Sequence, residues 1–215
     1  MTMINILFYG DSNTWGFNPA TDLRYPYQDR WTTICADLLG PNYNCIPSGM
    51  NGRTTAFDDP VKGSRNGMKG LDYELQTHKP LDLFVIMLGT NDLKYVDARG
   101  SAEGMERLVR LVQSANERYN LSSPVFPSDS SNTPILLISP ILLKDHVGER
   151  IDDVSESGRL SGLYKEIAEK YRLHFMDAAL YAEPSVIDGI HLGADGHKIL
   201  GQVIARSIRD ILGDE

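Results

Sequence analysis

Residues 83–88, Leu-Phe-Val-Ile-Met-Leu, carry six apolar side chains in a row without a polar break. A strand with one face in water alternates polar and apolar residues. An unbroken apolar run of this length is what a strand shows when both faces are covered, as in a parallel sheet between two layers of helices. Residues 135–138, Ile-Leu-Leu-Ile, repeat the pattern, residues 4–9 form a similar run, and residues 43–46 and 173–176 read as two weaker strands. Between these runs the apolar period changes to that of a helix. Trp31, Ile34, Cys35, Leu38 and Leu39 share a face over residues 29–39, and Gly40-Pro41 ends that stretch. Met105, Leu108, Leu111, Val112, Ala115 and Tyr119 line a long helix, and Leu200, Val203, Ile204, Ile208 and Ile211 line another over 194–212. Strands separated by helices need parallel crossovers, so the expected fold class is α/β, a three-layer α/β/α sandwich. No repeat or linker divides the chain, and residues 1–215 are expected to form a single domain. The serine- and proline-rich stretch 121–133 reads as a loop, and residues 141–158 as irregular or partly helical.

Charge and composition remove several function classes. The chain has 21 basic and 29 acidic residues, a net charge of −8, and no run of like charges. Nucleic-acid binding needs a basic face to neutralise phosphates, so no nucleic acid is expected. No segment approaches the roughly 20 apolar residues that span a bilayer, and no membrane association is expected. The first residues, Met-Thr-Met-Ile-Asn, lack the basic region of a secretory signal. The two cysteines, Cys35 and Cys45, have no metal-ligand spacing and suit a reducing compartment, so a cytoplasmic protein is the expectation.

Chemistry-bearing residues cluster where the apolar runs stop. After residues 4–9 comes Gly10-Asp11-Ser12-Asn13-Thr14-Trp15-Gly16, which sets a serine on a turn at a strand's C-terminal end. Open α/β sheets bind their ligands at that edge. The same residues also suit a helix N-cap by Asp11 or Ser12. After the second strand, Ser48-Gly49-Met50-Asn51-Gly52-Arg53 offers glycine backbone where a bare N–H can face a ligand. After the third, Gly89-Thr90-Asn91-Asp92 offers a carboxamide donor, or equally a helix cap or Asx-turn. Before the last helix, Asp188-Gly189-Ile190-His191 places a carboxylate and an imidazole three residues apart. Asp188 can then hold Nδ1–H of His191 and leave Nε2 to deprotonate a serine. The other histidines, at 78, 146, 174 and 197, show no ligand spacing around His191, and neither a metal nor another cofactor is expected. Together the segments supply a nucleophile (Ser12), a base (His191) with its orienting acid (Asp188), and three oxyanion donors (Ser12 N–H, Gly52 N–H and the Asn91 side chain).

Those residues, in that order, resemble the SGNH (GDSL-type) hydrolase family, whose four signature positions match Ser12, Gly52, Asn91 and His191. Gly-Asp-Ser-x-Thr-Trp-Gly, Asp29-Arg30-Trp31-Thr32, Gly52-Arg53-Thr54-Thr55, Met87-Leu88-Gly89-Thr90-Asn91-Asp92 and Asp188-Gly189-Ile190-His191 resemble its arylesterase/acyltransferase branch. The resemblance implies a flavodoxin-like, five-stranded parallel sheet and metal-independent hydrolysis of short-chain esters through an acyl-serine. It also implies acyl transfer to alcohols and a homo-oligomer. The departure is Asn13, where the family usually has leucine, a change expected to alter site polarity or acyl preference.

Asp11, Asn13, Trp15 and Phe17 are the candidate substrate-pocket residues, with Asp11 expected to brace the nucleophile turn, and Trp15 and Phe17 equally suited to core or interface packing. Arg53 is expected to hold a loop through Asp58 or Asp59, and His197 to lie at the surface or to cap a helix. Two alternatives stand beside the esterase reading. One is a non-catalytic carbohydrate- or nucleotide-binding module, although no Gly-x-Gly-x-x-Gly or P-loop follows the first strand. The other is a thioesterase, lysophospholipase or peptidase using the same acyl-transfer machinery.

Overall fold

The computed structural model describes residues 3–119, 133–145 and 154–213. In chain order the elements are β1 (Ile4–Gly10), α1 (Ser12–Trp15), β2 (Phe17–Asn18), β3 (Leu23–Arg24), α2 (Trp31–Leu39), β4 (Tyr43–Gly49), α3 (Met68–His78), β5 (Leu83–Met87), α4 (Ala98–Tyr119), β6 (Ile135–Ser139), α5 (Val154–Tyr171), β7 (His174–Asp177) and α6 (Ala194–Leu212). Short 3₁₀ helices cover Tyr27–Asp29, Thr90–Lys94 and Ala178–Leu180. The strands β4-β1-β5-β6-β7 pair in that spatial order, every pair parallel, while β2 and β3 form a separate antiparallel hairpin. Numbered among themselves, the five sheet strands run 2-1-3-4-5, the flavodoxin-like order, whose switch point lies between β1 and β5.

The unbroken apolar runs behave as their composition requires. In β1, Leu7 and Tyr9 face a core with Phe84, Ile86 and Leu137, closed by Leu71, Met105, Leu108, Leu160 and Tyr164 from α3, α4 and α5. Ile6 and Phe8 face the opposite core with Val85, Met87 and Ile138, closed by Trp31, Cys35, Leu200, Ile204 and Ile208 from α2 and α6. The sheet is thus covered on both faces, and each large apolar side chain so buried contributes about 1.5–3 kcal/mol.

Two helices go beyond the sequence expectation. α3 buries only Leu71 and Leu75, and Gly70 interrupts it, so its apolar period is faint. α5 starts at Val154, inside the stretch expected to be irregular or partly helical, and runs on to Tyr171; its buried face includes Ser157 and Ala168 beside Leu160, Tyr164 and Ile167. Packing against β6 and β7 completes what weak periodicity leaves undecided. The expected loop at 121–133 lies, apart from Thr133, outside the described residues.

Asp92 ties two strand ends together from inside the protein. It is fully buried, and its carboxylate accepts hydrogen bonds from Thr55 N at 3.1 and 3.0 Å and from Thr55 Oγ1. Burial pushes its pKa up to about 7, against the pull of the Thr55 donors. The folded state therefore binds this proton more tightly than the unfolded chain, where the carboxyl titrates near 3.9. The Asp92 contribution to stability is complete below about pH 4 and is lost as pH rises through 7. His197, pushed down to about 4 by burial, contributes the opposite slope between about 4 and 6.5. Subtracting the denaturation free energy of Asp92→Asn from that of the wild type, between pH 4 and 8, isolates the first effect. That difference should fall with a slope approaching about 1.4 kcal/mol per pH unit between the two titrations and level off above them. A difference independent of pH contradicts it.

Candidate active site

The turn that carries Ser12 is made by close backbone packing. β1 ends at Gly10, which lies in register with Gly49 of β4 and Met87 of β5. A Cβ on Gly49 would stand 2.1 Å from Trp15 N, so the turn of α1 rests directly on the end of β4, where only glycine fits. Asp11 N-caps the turn, accepting from Asn13 N at 2.9 Å. Burial raises the Asp11 pKa, offset by the Asn13 N–H and by the nearby basic groups, Lys94 and Arg53 among them. Ser12 opens the helix, where a first-turn N–H has no intrahelical acceptor.

The last loop brings a base to that serine. Asp188 Oδ1 accepts from Ile190 N at 2.9 Å and His191 N at 3.0 Å, and its Oδ2 lies 2.5 Å from His191 Nδ1. Burial alone would raise the Asp188 pKa, but its bonds to the His191 ring and to the two N–H groups hold it below the ordinary value. With Nδ1–H engaged by the carboxylate, His191 Nε2 presents its lone pair 2.9 Å from Ser12 Oγ. The ring of Phe17 stacks at 4.4 Å from the His191 ring.

Asn13 joins the two halves. Its Oδ1 accepts from Leu192 N at 2.8 Å and its Nδ2 donates to Ile190 O at 3.4 Å, so one side chain grips the residues on either side of His191. Asn13 O in turn accepts from Trp31 Nε1 at 3.0 Å. Asp11 and Asn13 also line a shallow depression with Met87, Thr90, Pro140, Ile141 and Leu192. Trp15 lies outside that lining, its ring under the Arg24 guanidinium at 4.9 Å.

The candidate oxyanion donors follow the ends of β4 and β5. Gly52 adopts φ +77°, a left-handed conformation that favours glycine, and among the described residues its N–H meets no acceptor. Asn91, on the 3₁₀ turn after β5, donates from Nδ2 to Arg53 O at 3.2 Å and accepts at Oδ1 from Lys94 Nζ at 2.8 Å. Arg53 does not reach Asp58, which pairs instead with Lys69 at 2.6 Å. Its Nη1 donates to Gly10 O at 2.8 Å and to Ser48 O, and its guanidinium lies 4.0 Å over Tyr9, tying β1 to the loop after β4. His197 is not at the surface; it is fully buried, and its Nδ1 accepts the first N–H of α2, from Trp31, at 3.3 Å. Lys94, bonded to Asn91, and Ile141, in the lining beside Asn13, are absent from the sequence expectation, and no motif marks either.

Residues 8–199 match the GDSL-like Lipase/Acylhydrolase family. No curated protein matches the chain. Among solved structures, Est24, a carbohydrate acetylesterase from Sinorhizobium meliloti, is 34% identical, with a TM-score of 0.88 over 97% of this chain and 99% of that one. The M. smegmatis aryl esterase is 30% identical, with a TM-score of 0.87 over 97% of this chain and 100% of that one. A lipase/acylhydrolase from Enterococcus faecalis shares the fold at 22% identity and a TM-score of 0.69, over 98% of this chain and 97% of that one. With the family matched over most of its length, the chain belongs to the GDSL-like lipase/acylhydrolase family of serine ester hydrolases.

Proposed function

We propose that Ser12 is the nucleophile, His191 the general base and Asp188 the residue that orients it, with Ser12 N–H, Gly52 N–H and Asn91 Nδ2 as the oxyanion hole. The observation that carries this is the continuous relay from Asp188 through His191 to Ser12 Oγ, at 2.5 and 2.9 Å. Ser12 Oγ attacks the ester carbonyl while His191 Nε2 takes the hydroxyl proton. The carbonyl electrons move onto oxygen, where the three donors stabilise the charge. Collapse breaks the bond to the leaving alkoxide, which receives the proton from His191. Water, deprotonated by the same imidazole, then attacks the acyl-serine; the acyl–Oγ bond breaks, His191 returns the proton to Ser12 Oγ, and the carboxylic acid leaves.

The substrates in this reading are short-chain carboxylic esters with aryl, alkyl or acetylated-sugar alcohol parts. The names of the acetylesterase and aryl esterase neighbours support both the short acyl group and the alcohol parts. An alcohol in place of water at the second step would give acyl transfer. Residues 1–215 act as a single domain, working as a homo-oligomer in the cytoplasm. The exposed apolar Leu23 and Tyr27 support the oligomer, and the unpaired Cys35 and Cys45 support the compartment. Among the described residues, no helix is long and apolar enough to cross a membrane.

Steady-state hydrolysis of p-nitrophenyl acetate tests the assignment. Ser12→Ala and His191→Ala should each lower kcat on the order of 10⁴-fold or more, and Asn91→Ala about 10²–10³-fold. A Ser12→Ala enzyme with near-normal turnover would sink the reading. Matched acetyl oxyester, thioester and amide substrates check the class, with the oxyester expected to have the highest kcat/KM and a preferred amide counting against it. Asn13→Leu should lower kcat about tenfold and stability by about 1 kcal/mol, since it leaves Leu192 N–H and Ile190 O without their partner. Unchanged kcat and melting temperature would show that the grip on the base loop is dispensable.

A further inference from the structure

The carboxamide of Asn91 has one use in the proposed reaction, and it needs the right end forward. An amide can sit in either of two flips, one presenting NH₂ and the other an acceptor oxygen that would repel the developing oxyanion. In this structure each of its groups is accounted for. Oδ1 is taken by Lys94 Nζ at 2.8 Å, and one Nδ2 hydrogen goes to Arg53 O at 3.2 Å. The second Nδ2 hydrogen is left for a substrate oxygen. An ammonium has three donors and no acceptor, so Lys94 can bond only the oxygen end of the amide.

The two residues meet because of the helix type. Asn91 and Lys94 lie three apart on the 3₁₀ turn Thr90–Lys94, and in a helix with three residues per turn such positions eclipse one another. Much of the Lys94 chain is exposed, yet burial of its ammonium end lowers its pKa, opposed by the attraction of Asp11. The other charges felt there are Lys62 and Asp59. A cation on the carbonyl oxygen of an amide draws electron density from its nitrogen and makes the NH₂ a stronger donor.

We propose that Lys94 is a positioning residue of the oxyanion hole, fixing the flip of the Asn91 carboxamide and strengthening the N–H that faces the reacting carbonyl. This rests on the assignment of Asn91 as an oxyanion donor. It requires Lys94 to act through Asn91, so the two residues must be non-additive.

The test is p-nitrophenyl acetate hydrolysis by wild type, Lys94→Met, Lys94→Arg, Asn91→Ala and the Asn91→Ala/Lys94→Met double variant, with Ser12→Ala in the same assay. Melting temperatures confirm that each variant is folded. Lys94→Met should lower kcat about tenfold, less than removal of the donor itself, with KM changed by less than about twofold. Lys94→Arg, which keeps a cationic donor, should stay within about threefold of wild type. In the Asn91→Ala background, Lys94→Met should cost no more than about twofold. An equal loss in both backgrounds, a raised KM with unchanged kcat, or an arginine variant as slow as the methionine one overturns the proposal. Should Ser12→Ala turn over normally, the reading of the site fails instead, whatever Lys94 does.

Discussion

The proposed chemistry depends on one hydrogen bond between residues far apart in the chain, from Ser12 Oγ to His191 Nε2, across 179 residues of sequence. Such a contact cannot be held by the two residues themselves, because a single side-chain hydrogen bond has a net worth of only about 1 kcal/mol. It is held by the packing of α6 on α2. Trp31, at the start of α2, is almost fully buried, receives the ring of Phe8 edge-on, and donates from Nε1 to Asn13 O in the nucleophile turn. Its backbone N–H meets His197 of α6. Gly201 lets that helix come close enough that a Cβ there would stand 2.8 Å from Trp31 O. Trp31 is thus a bracket between the last helix and the serine, and Asn13 completes it by gripping Ile190 and Leu192.

Around that bracket the buried charges divide their work. Asp188 holds the His191 ring, the proposed base. Asp11 turns inward to cap the serine's helix, and Asp92 holds Thr55, so neither carboxylate competes for the imidazole. Arg53 is spent on the backbone of Gly10 and Ser48, which joins the ends of β1 and β4. Lys94 is the cation that reaches a proposed oxyanion donor. In the proposed reaction, negative charge then stands at His191 Nδ1, where it favours the imidazolium that forms.

Much of the fold can be read from the sequence because a parallel sheet with both faces covered leaves long apolar runs, as in 83–88 and 135–138. α3 and α5 are harder to read for the complementary reason: glycines at 70, 158 and 162 and buried Ser157 and Ala168 dilute the helical period that packing later supplies. The proposed site residues stand out because each follows or precedes an abrupt change from apolar to polar. His197 and Arg53 do not yield their roles. Sequence shows a polar residue near a helix start or a turn, but not that its partners are the backbone of α2 or of β1. Asn13 is legible by what it follows, not by the loop near the C-terminus that it binds. The Asn91–Lys94 pair is hidden by the expectation of an ordinary turn, where a 3₁₀ turn makes the spacing of three meaningful.

In the proposed reaction Ser12 carries the acyl group between two half-reactions. The most direct measurement is the intact mass of the enzyme, quenched within the first turnover of p-nitrophenyl acetate, followed by peptide mapping. A transient single acetyl group on the peptide containing Ser12, decaying as acetate is released, is what the account predicts. Full turnover with no adduct at any time, or an acetyl group on a different residue, would contradict it.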